Sequence, residues 1–312
     1  MTSGVRGVVC GLALLLISGV ASGVNAQVAS STRYLKGQSI QPAYEGWEQN
    51  PDGTYSLWFG YLNRNWAEEP NIPVGPDNNI QPGGPDRGQP TFFQTGDAKR
   101  RQYFAFKVVV PADWPKDRDV VWTLTANGTT LKAVGSLWPV WLVNGDVISA
   151  NRGAYRDTDP DSVNNPPTIT EAPKDATVPL GTPLTLTMAV TDDDMPKRRS
   201  SGQLPGAVGG VARREPAGPG GASPRQPSLR DSLRVSWVQW RGPGRAKFDP
   251  EVVRVADDAG TQTGTAGKAG TTVTFDKPGT YMLRAYAEDM SLFTLSDTIT
   301  VTVTGASTAQ LR

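Results

Sequence analysis

Carboxylates and indoles are the side chains in this 312-residue sequence whose grouping points to chemistry. There is no histidine, and the single cysteine is Cys10. That composition removes Ser-His-Asp and Cys-His nucleophilic catalysis, His-ligated zinc and any histidine-based pH switch. An enzyme built from this chain would have to use carboxylates, Lys or Tyr. The adjacent pair Glu68-Glu69 raises carboxylate-dependent hydrolysis, which needs two carboxyl groups held apart across a cleft. Sequence neighbours do not supply that spacing, so both are read as solvated loop acids. Three acidic groups suit a hard cation better: Asp157, Asp159 and Asp161; Asp192, Asp193 and Asp194; and Glu288 with Asp289. Calcium takes about six to eight oxygen ligands, many of them carboxylate. Asp157, Asp159 and Asp161 alternate like the start of an EF-hand loop, but Ser162 stands where the glycine belongs and no glutamate closes the motif. Trp66, Trp138 and Trp141 flank turns and prolines, and an exposed indole there would stack on a sugar or a peptide.

The elements that must position these residues read as strands. In "TYSLWFGYL", residues 54–62, strand alternation puts Tyr55, Leu57, Phe59 and Tyr61 on one face and Trp58 with Leu62 on the other. Apolar groups on both faces predict a strand covered on both sides, so this aromatic density is read as core rather than as a ligand platform. In "DVVWTLTANGTTLKAVG", residues 119–135, Asn127-Gly128 is a two-residue hairpin signal. Folding about it pairs Leu124 with Leu131 and Trp122 with Ala133 on an apolar face, and Thr125 with Thr130 and Thr123 with Lys132 on a polar one. The turn also explains Asn127-Gly128-Thr129, so no glycosylation is assigned there. A further strand is predicted at 102–110. Residues 71–90 are too rich in Pro and Gly for regular structure, and a loop of that length must be ordered by something.

Residues 1–26 have the pattern of a secretory leader: Arg6 as the charged flank, an apolar run over 8–20, and Val24-Asn25-Ala26 as a small-residue cleavage site. The apolar run is interrupted by Gly and shorter than the roughly 20 residues a spanning helix needs. Cys10 lies too early for lipid attachment. The mature chain then has no cysteine, and its stability comes from core packing. The remaining length predicts two domains, 27–150 and 168–305, joined by an Asp/Asn/Pro linker over 151–167 and followed by a tail, 306–312. Residues 195–231 interrupt the second domain with six prolines, seven glycines and no aromatic residue. With seven Lys/Arg against two Asp/Glu this stretch is strongly basic, and it cannot bury enough apolar surface to fold, so it is predicted to be a disordered insertion. Elsewhere the chain is mildly acidic, which argues against a nucleic-acid partner.

The second half reads as short alternating runs of the β-sandwich type: "PPTIT", "TPLTLTMAVTDDD", "LRVSWVQWRG", "TTVTFDKPGTYMLRAYAED" and "SDTITVTVTG". Residues 275–303 resemble the last three strands of bacterial immunoglobulin-like or polycystic-kidney-disease-like domains. Pro278-Gly279-Thr280-Tyr281 enters a strand ending in Glu288-Asp289, and Trp237 stands as the core tryptophan of the third strand. The Phe-Gly-Asp-Gly element of the polycystic-kidney-disease-like type is missing, because "WVQWRGPG" keeps only its aromatic part. The resemblance implies the sandwich class. The first domain, with "YEGW", "NPDGTYSLWFGYLNRN" and "GQPTFF", resembles the amino-terminal region of exported bacterial proteins without an assigned function, and implies no activity. In a sandwich of this type the three acidic groups all fall at one end, as in cadherin-like junctions, where crowded carboxylates favour a structural calcium ion.

These readings define an all-β protein: an aromatic-rich antiparallel β-domain followed by an immunoglobulin-like β-sandwich with a long disordered insertion. The function expected is a non-catalytic, exported interaction module, periplasmic, cell-surface or extracellular. Its partner would be a cell-surface polymer, a glycan or a protein. Two alternatives are a carbohydrate-binding module using Trp66, Trp138 and Trp141, and a carboxylate-dependent hydrolase.

Overall fold

The computed structural model describes residues 33–95, 100–144, 147, 164–195, 233–261, 264–289 and 292–305. The leader, most of the linker, the basic insertion beyond Met195 and the tail lie outside the described residues.

Strands β1 (Ile40–Gln49) and β2 (Tyr55–Asn63) form a hairpin around Asn50-Pro51-Asp52-Gly53. Gly53 takes the positive φ of 86° that this turn requires, and the Asp52 carboxylate accepts bonds from the Thr54 N–H and hydroxyl. Strand β4 (Arg101–Val110) completes a sheet of order β1-β2-β4. A second sheet, β3-β5-β6, packs on it and consists of Asn78–Gln81, Val120–Ala126 and Thr129–Gly135. The β5-β6 register is the one the Asn-Gly turn predicts: Trp122 opposite Ala133, Leu124 opposite Leu131, Thr125 opposite Thr130. Between the sheets Leu57, Phe59, Phe106, Trp122 and Leu124 are fully or almost fully buried. Phe59 stacks on Phe106 at 5.6 Å, and Phe106 meets Trp122 edge-on at 5.0 Å.

The long loop between β2 and β4 is ordered by buried amides. Asn78 donates to the carbonyls of Ile72 (2.9 Å) and Pro90 (2.8 Å) and accepts the Trp122 indole N–H at 2.9 Å. Gln89 donates to the carbonyls of Asn78 and Pro85, and Asn63 donates to those of Glu68, Phe93 and Gln94. These side chains take the place of a ladder where Pro and Gly forbid one. Residues 71–90 nevertheless contain β3, paired with β5, which corrects the expectation of no regular structure there. Four residues between prolines are too few to show a period in sequence.

The second sandwich pairs β7 (Thr168–Glu171), β9 (Leu184–Thr191), β13 (Ala266–Phe275) and β11 (Ala246–Asp249) in the order β11-β13-β9-β7. Facing it lie β8 (Ala176–Pro179), β10 (Arg234–Arg241), β12 (Val252–Arg254), β14 (Gly279–Glu288) and β16 (Ile299–Thr304), in the order β12-β10-β14-β16-β8. A short β15 (Phe293–Leu295) pairs with β14. The first strand is split between the sheets: β7 runs antiparallel to β9, while β8 runs parallel to β16. Every other pairing is antiparallel, and this order is the immunoglobulin-like arrangement. Trp237 is fully buried in this core, against Phe248 at 6.5 Å.

Candidate functional site

Beyond β6 the chain runs back along the exposed edge of β1. Leu142 forms a parallel bridge with Trp47, and the Val143 N–H donates to the Trp47 carbonyl at 2.8 Å. The Trp47 indole donates to the Trp138 carbonyl at 2.8 Å, and Pro139–Trp141 forms a single 3₁₀ turn with no buried residue. Backbone bonds therefore fix this segment while its side chains remain outside. Trp138 is 62 % exposed, Val140 80 %, Trp141 45 % and Leu142 55 %. Only Trp141 has a ring neighbour, Tyr44 at 5.4 Å. From Leu137 to Val143 the indole N–H is the sole side-chain hydrogen-bonding group. Trp138, Val140, Trp141 and Leu142 thus form a run of exposed apolar side chains.

Trp66 does not join Trp138 and Trp141. It lies beyond the Ile40–Asn63 end of the same sheet, half-buried, with its N–H bonded to the Tyr34 carbonyl and the Arg100 guanidinium 3.9 Å over its ring. Glu68 and Glu69 serve different partners. Glu68 accepts from the Gly37 N–H at 2.6 Å and from Asn127 at 3.2 Å, whereas Glu69 accepts from the Thr95 N–H and pairs with Arg245 at 3.1 Å. Both act as ties between segments rather than as the solvated loop acids expected. A shallow groove of about 420 Å³ separates the Pro70–Asp77 run from the tip of the β5-β6 hairpin. The amides on its rim are already engaged: Asn71 with the Gly242 carbonyl, Asn127 with that of Gln38.

Of the residues expected to hold calcium, Asp157, Asp159 and Asp161 lie outside the described residues. Of the others, Asp192, Asp193 and Asp289 lie near one another at one end of the second sandwich. Asn165 donates through its backbone and side chain to Asp193 at 2.9 Å, and the Leu292 N–H donates to Asp289 at 2.5 Å. Burial, with Asp289 and Asp193 nearby, pushes the Asp192 carboxyl up to about 7. Glu288 is paired instead with Arg234 at 2.5 Å, and Asp194 has a positive φ of 61°. Among the described residues no group of three or more acidic side chains is arranged to hold a metal ion.

One buried acid was not anticipated. Glu45, at a register shift in β1, bonds Arg101 at 2.5 Å with its carboxylate against Gly60, and burial raises its pKa against the lowering effect of Arg101. A glutamate beside a glycine in a strand pattern is a weak signal for a bulge.

No protein-family model matches the chain, and no curated protein matches it in sequence. Solved structures similar to it include the tandem Ig repeats of Dlar, at 11 % identity over 85 % of this chain and 97 % of that one, with a TM-score of 0.29. The N-terminal Ig1-2 module of the Drosophila receptor protein tyrosine phosphatase DLAR is similar at 8 % identity over 86 % and 100 %, with a TM-score of 0.27. The D0-D1 domain of intimin is similar at 14 % identity over 85 % and 100 %, with a TM-score of 0.23. Scores this low carry no argument, and the immunoglobulin-like assignment rests on the strand order. Among the described residues no helix is long and apolar enough to cross a membrane.

Proposed function

We propose that the chain is an exported, non-catalytic interaction module that meets its partner through the Trp138–Leu142 segment. The exposure of Trp138, Val140, Trp141 and Leu142 on a backbone already fixed by β1 carries this reading. The leader-like pattern of residues 1–26 supports export, and with it a periplasmic, cell-surface or extracellular location. The engagement of Glu68 and Glu69 in structural bonds weighs against the hydrolase alternative. A protein or another apolar partner suits the segment, whose only side-chain groups able to bond sugar hydroxyls are the two indole N–H groups. The exposed indoles still favour carbohydrate as the second reading.

The test is a binding screen of the mature protein against glycans, peptidoglycan and surface proteins, run beside the Trp138→Ala/Trp141→Ala double variant. Binding that disappears in the double variant while the thermal midpoint holds supports the segment. Binding that survives it unchanged removes the segment from the function, and binding confined to glycans selects the second reading.

A further inference from the structure

Each sandwich has a bulge at which an aromatic ring meets the other sandwich: Trp240 in β10 and Phe104 in β4. In β10 the register slips between Gln239 and Arg241, leaving Trp240 as the extra residue. Trp237, three residues earlier, lies in the core of its own sandwich, but Trp240 is 3 % exposed within the core of the first. Its ring meets Phe106 at 6.1 Å, its indole donates to the Gly88 carbonyl at 3.0 Å, and its carbonyl accepts the N–H groups of Thr91 and Phe92. In β4 the register slips opposite Phe59 and Tyr61, and Phe104 takes a positive φ of 49°. A bulky residue is rarely found there. Phe104 is fully buried, between Trp58 at 6.2 Å and Phe293 of β15 at 6.5 Å. A bulge is a device for re-aiming a side chain.

The polar contacts follow the same path. Arg241 is bidentate to Asp86 at 2.8 and 2.7 Å and also donates twice to the Gln89 carbonyl, at 2.9 and 2.7 Å. Asn71 donates to the Gly242 carbonyl, and Arg245 pairs with Glu69. The long β2-β4 loop, whose Pro and Gly bar it from a sheet of its own, is therefore held on one side by Asn78 and on the other by β10. Both sandwiches belong to one compact unit, Tyr34–Arg312.

We propose that the two sandwiches form one cooperative folding unit, locked by the exchange of Trp240 and Phe104, and do not behave as independent beads on a linker. Tandem domains move relative to each other by default, unless the interface is large and apolar. Here Trp240 crosses into the first core, and the buried Phe104 packs on Phe293 of the second sandwich. A ligand bound to the first sandwich then stabilises the second by linkage.

Native-state hydrogen exchange on the full chain at low urea tests the proposal. The slowest amides of β2 and β5 and those of β14 are expected to share one opening free energy and one urea dependence. Two separate values would overturn it. A second measurement uses Trp237→Phe, which alters only the second core. Its slowest amides and those of β2 are expected to exchange faster by the same factor. Acceleration confined to residues 233–305 would overturn the proposal. In the Trp240→Ala/Phe104→Ala background the coupling is expected to vanish, with Trp237→Phe then felt only in the second sandwich.

Discussion

The Asn78 carboxamide satisfies three buried partners at once. Replacing it by Ala strands the Trp122 indole N–H and two carbonyls away from water. Each group left unsatisfied costs about 1–3 kcal/mol, with partial relaxation reducing the sum. Asn78→Ala is expected to lower stability by about 3 kcal/mol in urea denaturation, far more than Asn79→Ala one residue away. Asp192 gives the residue-scale pH prediction. Its folded pKa, raised to about 7, exceeds the ordinary value near 4, so the folded chain binds a proton over a range where the unfolded chain has released it. The stabilisation is complete below about pH 4 and is lost as pH rises through about 7. The thermal midpoint is therefore expected to climb from pH 7.5 to pH 5, and Asp192→Asn to flatten that slope. The same melts with millimolar calcium and with chelator test the calcium expectation: an unchanged midpoint eliminates a structural ion, and a rise abolished by Asp193→Asn supports one.

Elements differ in how plainly the sequence announces them. The β5-β6 register was legible pair by pair, because an Asn-Gly turn with alternating flanks leaves no other way to keep Trp122 and Leu124 inside. Strand order placed Asp192 near Asp289, and the two do lie close, but Glu288 of the same expected group turns to Arg234. Strands β3, β8, β11, β12 and β15 were not, since runs of three or four residues carry no period and owe their pairing to neighbours distant in sequence. The Glu45 bulge depends on Gly60 in the same tertiary way. A Cβ there would stand 2.3 Å from the Glu45 Oε1 and 2.4 Å from the Gln102 carbonyl. Gly60→Ala is expected to cost about 1–3 kcal/mol, the range of overpacking, despite removing no contact. The Trp138–Leu142 segment behaves oppositely. Trp138 packs on no ring, so Trp138→Ala is expected to leave the thermal midpoint nearly unchanged. In single-Trp variants acrylamide should quench Trp138 strongly and Trp122, which is fully buried, hardly at all; equal protection would remove the exposed segment from the functional reading.

At the scale of the whole molecule the sequence divides into two sandwiches, but nothing in it says which core Trp240 enters. In "WVQW" strand alternation already sets Trp240 on the face opposite Trp237, and the slip in β10 falls at that residue. Two forces hold the sandwiches there, and their magnitudes rank them. Arg241 holds the Asp86 carboxyl at about 2, chiefly through its hydrogen bonds, yet Asp86 is half-exposed, and such pairs contribute about 0–1 kcal/mol. Removing a buried Trp costs about 3–5 kcal/mol, because the lost apolar contact is compounded by the cavity left behind. Trp240→Ala is therefore expected to destabilise the protein several times more than Asp86→Asn, and 0.5 M salt to lower the midpoint only slightly, since screening reaches the ion pair and not the indole. Equal losses from the two substitutions, or a salt effect as large as that of Trp240→Ala, would mean that the ion pair rather than the exchanged ring joins the sandwiches. Urea denaturation of the two variants at low and high salt separates those outcomes.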